Sequence, residues 1–328
     1  MTTTRSMIIG SLAGVASAVL VLTAASGPFG FLLSYLVPLP LFFAGLTHGL
    51  PAIGIAGAAG ALISAFNGLQ AGGSYLVIFA VPAVLVTRQA LLARPAAEAA
   101  PGAEVNDGLE WYPAGGLVVW LTYSALGLFA LALLLTAGRE GGLPGMLQPK
   151  IEQILRMITT DMQPRTDGKT VDAVAAAAGL AQVLPSALGL GWLTMMAING
   201  TLAQGLANMV KQNRRPTPRY SALTLPRSLA IAFGVAVIAG FVLPDDMSFI
   251  AVTAAAVLAF PFFLQGLAVV HRLAAKAALQ GMVLAAFYAA LVLGTALVAV
   301  PVLILGFIEQ WAGFRRRLAG AGASQEKI

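Results

Sequence analysis

Residues 278–311 read ALQGMVLAAFYAALVLGTALVAVPVLILGFIEQW, an apolar block whose first charge is Glu309. One bilayer crossing takes about 20 mainly apolar residues. The block is too long for one comfortable span and barely enough for two, so its reading fixes both the number of helices and the side on which the chain ends. Upstream, breaks at Gly, Pro or charge separate further apolar stretches: Met7 to Ala25, Phe29 to His48, Pro51 to Leu69, Tyr75 to Leu92, Ala114 to Ala137, about Leu184 to Val210, Ser228 to Leu243, and Phe249 to His271.

Positive charge decides between one span and two, because Lys and Arg collect in cytoplasmic loops. With the N-terminus inside, the inner loops take Arg5, Arg88, Arg94, Lys211, Arg214, Arg215, Arg219, Arg227, Arg272 and Lys276, and the outer ones Arg139, Lys150, Arg156, Arg165 and Lys169. A single final span would put Arg315, Arg316, Arg317 and Lys327 outside and erase the bias, ten against nine. A hairpin turning between Gly294 and Pro301 keeps them inside, fourteen against five. The expectation is therefore an all-α polytopic transmembrane helix bundle of about 8–10 short spans, ten by preference, with both termini cytoplasmic in a bacterial inner membrane. Arg5 ahead of an apolar run ending in Thr-Ala-Ala-Ser resembles a signal peptide. Another apolar stretch follows within a few residues, which favours a retained first helix.

Composition agrees with that placement. Of 328 residues 59% are hydrophobic and 10% charged, against roughly 25% charged in a soluble domain. There is no cysteine, which removes disulfides, thiolate metal sites and cysteine nucleophiles. His48 and His271 lie in no metal-binding spacing. The net charge of +6 is accounted for by inner loops, so no nucleic-acid partner is expected, and neither is a cofactor or metal. The spans hold almost no ionisable group, which argues against a proton relay, and they offer no Ser–His or paired Asp arrangement for hydrolysis. No enzyme activity is expected.

The organisation follows from the polar segments. Residues 1–93 form an N-terminal four-span region. Residues 94–113 have the Ala, Pro and Glu content of a flexible cytoplasmic tether. Residues 114–317 form a C-terminal membrane region with an extracytoplasmic amphipathic segment at about 138–175, and 318–328 a cytoplasmic tail. In that segment Ile151, Ile154, Leu155 and Ile158 recur at helical spacing, suiting a surface helix or a lid. Pro185 predicts a kink in the long helical stretch that follows. The loop Lys211 to Arg227, with five basic residues and no acid, suits anionic headgroups or a docking partner.

The remaining polar candidates are uncharged: Asn67, Gln70, Tyr75, Asn199, Gln204, Asn208, Gln265, Gln280 and Tyr288. Asn67, Gln70, Tyr75 and Trp192 near the outer face form a candidate site for a small ligand entering from outside. Gly10, Gly14 and Ala18 lie four apart, and Gly54, Gly57 and Gly60 line the third span. Such small residues let helix backbones approach, either within the chain or against another membrane protein.

Three stretches, Leu36–Gly49 (LVPLPLFFAGLTHG), Phe260–Val270 (FPFFLQGLAVV) and Leu305–Arg317 (LGFIEQWAGFRRR), resemble the YybS-like family of bacterial membrane proteins of unknown function. Glu309 stands at a position where that family commonly carries Asp. The family is in turn distantly similar to the S components of energy-coupling-factor vitamin transporters and to MreD-like proteins of the cell-elongation machinery. The resemblance implies an S-component-like helical bundle with an outward-facing pocket and no ATPase of its own. Gly10, Gly14 and Ala18 are similar to the small-residue surface by which S components dock their membrane partner. Two functions compete: a small-molecule-binding or transport subunit, and a non-catalytic scaffold for envelope, elongation or division proteins.

Overall fold

The computed structural model describes residues 2–96, 105–106, 108–162, 173–218, 220, 223–315 and 317. The tail 318–328, the middle of the expected linker and the end of the expected amphipathic segment, with Arg165, Lys169 and Arg219, lie outside the described residues. Helices dominate: α1 Thr2–Thr23, α2 Pro28–Ser34, α3 Pro38–His48, α4 Leu50–Ser64, α5 Leu69–Tyr75, α6 Val81–Ala90, α7 Ala114–Thr136, α8 Gly142–Met162, α9 Ala173–Met209, α10 Arg227–Val242, α11 Asp245–Ala274, α12 Gln280–Gly294 and α13 Ala296–Ala312. A π-helical turn, Leu76–Ala80, joins α5 to α6. Prolines sit in the first turn of α2, α3, α4 and α6, where the missing N–H breaks no helical bond. Gly49, at φ +86°, is the whole connection between α3 and α4, a conformation a side chain would resist.

Among the described residues, seven helices or joined helices are long and apolar enough to cross a bilayer, or eight when α12 and α13 count as one broken span. The expected ten differ from this at two places. The stretch Ser228 to Leu243 forms α10, only 16 residues long and about 24 Å at 1.5 Å per residue. The expected hairpin breaks at Thr295, at φ +33°, with α12 and α13 bent by 118°. The α9 stretch continues as a helix through Pro185 for 37 residues.

The chain divides into two compact units. The first comprises Met1–Thr122, Leu193–Ile231 and Ala259–Ile328. Its N-terminal part is built on small residues. A Cβ at Gly10 would lie 2.6 Å from the Ala52 carbonyl, and one at Gly14 2.4 Å from that of Ala56, so only glycine lets α1 lie on α4. Ser17 and Ala18 continue this buried face while Ile8, Leu12 and Val19 point outward, Leu12 being 64% exposed. That inverted pattern suits a solvent of lipid, in which helices associate by close packing and bulky side chains lose nothing by facing out. A second close crossing joins α11 and α13: a Cβ at Gly266 would lie 1.9 Å from the Val302 carbonyl, and one at Gly306 1.8 Å from that of Phe262.

The segment expected as a tether carries structure in this unit. Ala93–Pro95 (β1), Val105–Asn106 (β2) and Leu109–Trp111 (β3) form an antiparallel sheet in the order β1-β3-β2. Arg94 lies opposite Glu110, and the two form a cross-strand ion pair. The physical cause is the Asn106-Asp107-Gly108 sequence, a hairpin signal, with Gly108 at φ +74°. Pro95 sits on an edge strand, where a missing N–H is tolerated.

The second unit comprises Tyr123–Trp192 and Ala232–Leu258. Ser186 donates to Thr253 Oγ1 at 3.3 Å, Gly189 faces Val257, and Phe129 meets Phe249 edge to face. Ser248 caps the turn between α10 and α11 by donating to the Gly240 carbonyl at 2.7 Å. On α8, Arg156 pairs with Glu152 one turn away at 2.6 Å, while Ile154, Met157 and Ile158 are exposed.

Candidate functional site

The polar residues picked out from the sequence are placed differently from one another. Asn67 and Gln70 are exposed and flank Gly68 where α4 gives way to α5. Tyr75, one turn and a half further along, is 2% exposed. Its hydroxyl donates to Ser17 Oγ at 2.7 Å, and Ser17 donates onward to the Val37 carbonyl at 2.7 Å. Gly60 leaves the slot for that phenol, since a Cβ there would lie 2.3 Å from Tyr75 Oη. Tyr75 and Gly60 thus form a single packing device that ties together α1, α5 and the start of α3. Gly57 faces Ala80, whereas Gly54 has open space around it. Trp192 is half-buried on α9 in the second unit.

A cavity of about 610 Å³ lies within the first unit, inside the range of roughly 300–1,000 Å³ usual for small-molecule sites. Its walls come from the end of α3 (Phe42, Leu46), the start of α7 (Leu117, Leu121), the later part of α9 (Met196) and the later part of α11 (Leu264). Val86, Thr87 and Ala90, in the last turns of α6, complete it. From Gln70 to Ala90 the nearly continuous helical path covers about 30 Å at 1.5 Å per residue. The cavity therefore sits at the far helix ends from Asn67 and Gln70.

The lining is overwhelmingly apolar, and its polar atoms come from a few residues. Arg215, in the loop after α9, is 4% exposed. Its Nη1 donates to the Ala90 carbonyl at 3.0 Å and its Nη2 to the Tyr112 carbonyl at 3.2 Å. The Arg215 carbonyl accepts from Gln204 Nε2 at 3.1 Å and from Asn213 Nδ2 at 3.0 Å. The neighbouring Arg214 backbone N–H donates to the Leu46 carbonyl at 3.1 Å. Part of the basic loop is thus folded into the protein across the ends of α3 and α6.

Thr87, 1% exposed, has a hydroxyl with no hydrogen-bond partner among the described residues. On another wall His271 Nδ1 lies 2.9 Å from the Leu267 carbonyl, so that nitrogen carries the proton. Its Nε2 lies 3.4 Å from Tyr288 Oη. Thr201 and Tyr220 place their hydroxyls 3.3 Å apart.

Of the sequence candidates, Gln204 and Tyr288 line this cavity; Asn199 does not. Asn199 is buried and donates to the Tyr35 and Met195 carbonyls at 2.7 and 2.8 Å, bracing α9 against the end of α2. Sequence reasoning passed over Thr87, Arg215 and His271. Arg215 read as one of five loop cations, and nothing in the local pattern marks which of them turns inward. The Pro216-Thr217-Pro218 run that follows was the available signal, because two prolines make the loop stiff. Among the described residues no group of three His, Cys, Asp or Glu lies close enough to hold a metal ion. This arrangement can hold a small, mainly apolar molecule.

Apolar helices of spanning length, with small residues inside and bulky ones outside, define a multi-pass membrane protein built as an all-α bundle. The chain belongs to the family of predicted membrane proteins DUF2232, matched over residues 14–309. No curated protein and no solved structure matches it.

Proposed function

We propose that this membrane protein is a non-catalytic binding subunit, which takes a small amphipathic molecule into the cavity of its first unit and has no ATPase of its own. The observation that carries the reading is the apolar cavity of about 610 Å³ with a few polar side chains in its walls, Thr87, Gln204 and Arg215 among them. The YybS-like resemblance and the distant similarity to S components of vitamin transporters support a capture or transport role. In this reading the protein lies in a bacterial inner membrane with both termini cytoplasmic, and the cavity opens at the helix ends next to the basic loop, on the cytoplasmic side. Loading then takes place from the bilayer or the cytoplasm, rather than from outside at Asn67 and Gln70.

A second reading draws on α8 in the other unit. Its exposed Ile154, Met157 and Ile158 suit a protein neighbour or the membrane surface, as a scaffold for envelope or elongation machinery would require. Purification in mild detergent, followed by mass spectrometry of co-purifying proteins and small molecules, separates the two. A stoichiometric small molecule without a protein partner is the expected result; a stable protein complex with an empty interior overturns the binding reading. A reporter fused to the C-terminus is expected to report from the cytoplasm.

A further inference from the structure

Two guanidiniums that take no part in the cavity meet at one corner of the first unit. We infer that Arg5, His48 and Arg214 form a binding site for the phosphate of an anionic phospholipid, in the leaflet that borders the basic loop. This stands apart from the cavity reading above and holds or fails without it.

Three segments distant in sequence build this corner. The register that sets Gly10 on Ala52 and Gly14 on Ala56, run back toward the N-terminus, brings Arg5 of α1 alongside His48 at the end of α3. The contact of Ser17 with the Val37 carbonyl, at the other end of α3, leads to the same place, since α1 and α3 run in opposite directions. Arg214 arrives from the loop after α9, its backbone N–H bonded to the Leu46 carbonyl at 3.1 Å. Its Nη1 lies over Gly49, so near that a Cβ there would collide with it. Gly49 therefore serves two ends: its φ of +86° joins α3 to α4, and its missing side chain makes room for the guanidinium. The positive charges of Arg5 and Arg214 both reach the His48 ring, which Thr47 fixes with Oγ1 2.8 Å from Nδ1.

The charge at this corner is unbalanced. The first acid of the sequence is Glu98, and none occurs between Asp172 and Asp245, so α1, α3, α4, α6, α9 and the loop after α9 carry none. Both arginine side chains are exposed. Like charges held together repel, and an anion relieves that repulsion. The N–H groups of a guanidinium form a planar fork that matches the oxygens of a phosphate. The choice of a lipid as the source follows from what adjoins the pair. Met7 and Ile8, just after Arg5, and Leu50, just after Gly49, are exposed apolar side chains, so a head resting on Arg5 and Arg214 has surface beside it for its acyl chains. Basic residues at a membrane boundary attract anionic heads in general; this corner adds two forks converging on one point.

The test uses the full chain in mild detergent, with lipid retention read by native mass spectrometry and affinity by titration. Dioleoyl phosphatidic acid, phosphatidylglycerol and phosphatidylcholine share their acyl chains and differ in net head charge; glycerol 3-phosphate supplies the head without the chains. A single anionic lipid per protein is expected to be retained about tenfold or more tightly than phosphatidylcholine, as for hydrogen bonds to a charged group. Glycerol 3-phosphate is expected to bind far more weakly. Arg5→Gln and Arg214→Gln are each expected to remove most of that preference. Lys276→Gln, which takes an exposed cation from another loop, is expected to leave it within about twofold of the unaltered chain, as a site rather than a net-charge effect requires.

Should either arginine variant lose its monodisperse peak, the lipid series on the unaltered chain decides with the other. Equal retention of phosphatidylcholine and phosphatidylglycerol overturns the inference. So does an equal loss from Lys276→Gln, which would mark a diffuse surface field in place of a site. Glycerol 3-phosphate binding as tightly as the lipids overturns the membrane source and assigns the corner to a soluble phosphate ester. None of these outcomes touches the cavity reading, because none of the altered residues lines the cavity.

Discussion

The seam between α1 and α4 and the cavity lined by α7 and α9 both place glycine on a helix face, yet one is closed and the other is open. In the seam, Gly10 and Gly14 face backbone: a Cβ at either would strike the Ala52 or Ala56 carbonyl. At the cavity, Gly200 has only the ring of Phe42 near it, 3.8 Å from where a Cβ would stand. Small residues bring helices together only where a partner backbone can follow them in. Where the facing group is a large side chain, as Phe42 is for Gly200, a glycine leaves space. Packing density in this protein is therefore a property of pairs of faces, and glycine content alone does not foretell it.

The contrast can be broken by substitution. Gly14→Val places a branched side chain against the Ala56 carbonyl and should destabilise by about 3 kcal/mol or more; the expected outcome is loss of the monodisperse peak in detergent. An unchanged peak would mean that α1 does not rest on α4 through this glycine. Tyr75→Phe removes the hydroxyl that reaches Ser17, leaves Ser17 bonded to Val37, and should lower stability by about 1 kcal/mol, read from the unfolding midpoint. Gly54→Ala enters open space on a helix and should raise stability by about 0.8 kcal/mol through helix propensity alone. Gly200→Leu should change the midpoint least, because its side chain grows into the cavity, while abolishing binding of a dodecyl chain. A large loss of stability there would show that the space is not open as described.

Much of the fold was legible in the sequence because lipid imposes a simple code. Spanning stretches at Phe29 to His48 or Ala114 to Ala137 are set by length and the absence of charge, and the structure places helices there within a few residues. The small face of the first helix was equally readable from Gly10, Gly14 and Ala18. Its use within the chain was not, because spacing cannot say which surface a face meets. Gly266 and Gly306, the tighter crossing, escaped notice because they lie 40 positions apart on different helices. The sheet at Arg94 to Trp111 was hidden by a composition resembling a tether, although Asn106-Asp107-Gly108 held the turn signal. The cavity was the least legible feature. Thr87, Arg215 and His271 come from three distant segments, and only the folded chain brings them to one cavity.

The two arginines after α9 have a consequence for how the protein is made. The carbonyls of Leu46 and Ala90 belong to the final turns of α3 and α6, where no helical donor exists. In the finished fold their partners are the Arg214 backbone and the Arg215 guanidinium. Those donors are synthesised more than a hundred residues after the helix ends they serve, beyond α7, α8 and α9. A ribosome that has released only the first six helices has thus delivered a bundle whose closing bonds are still unwritten, and completion of the N-terminal region waits for the arrival of residue 215.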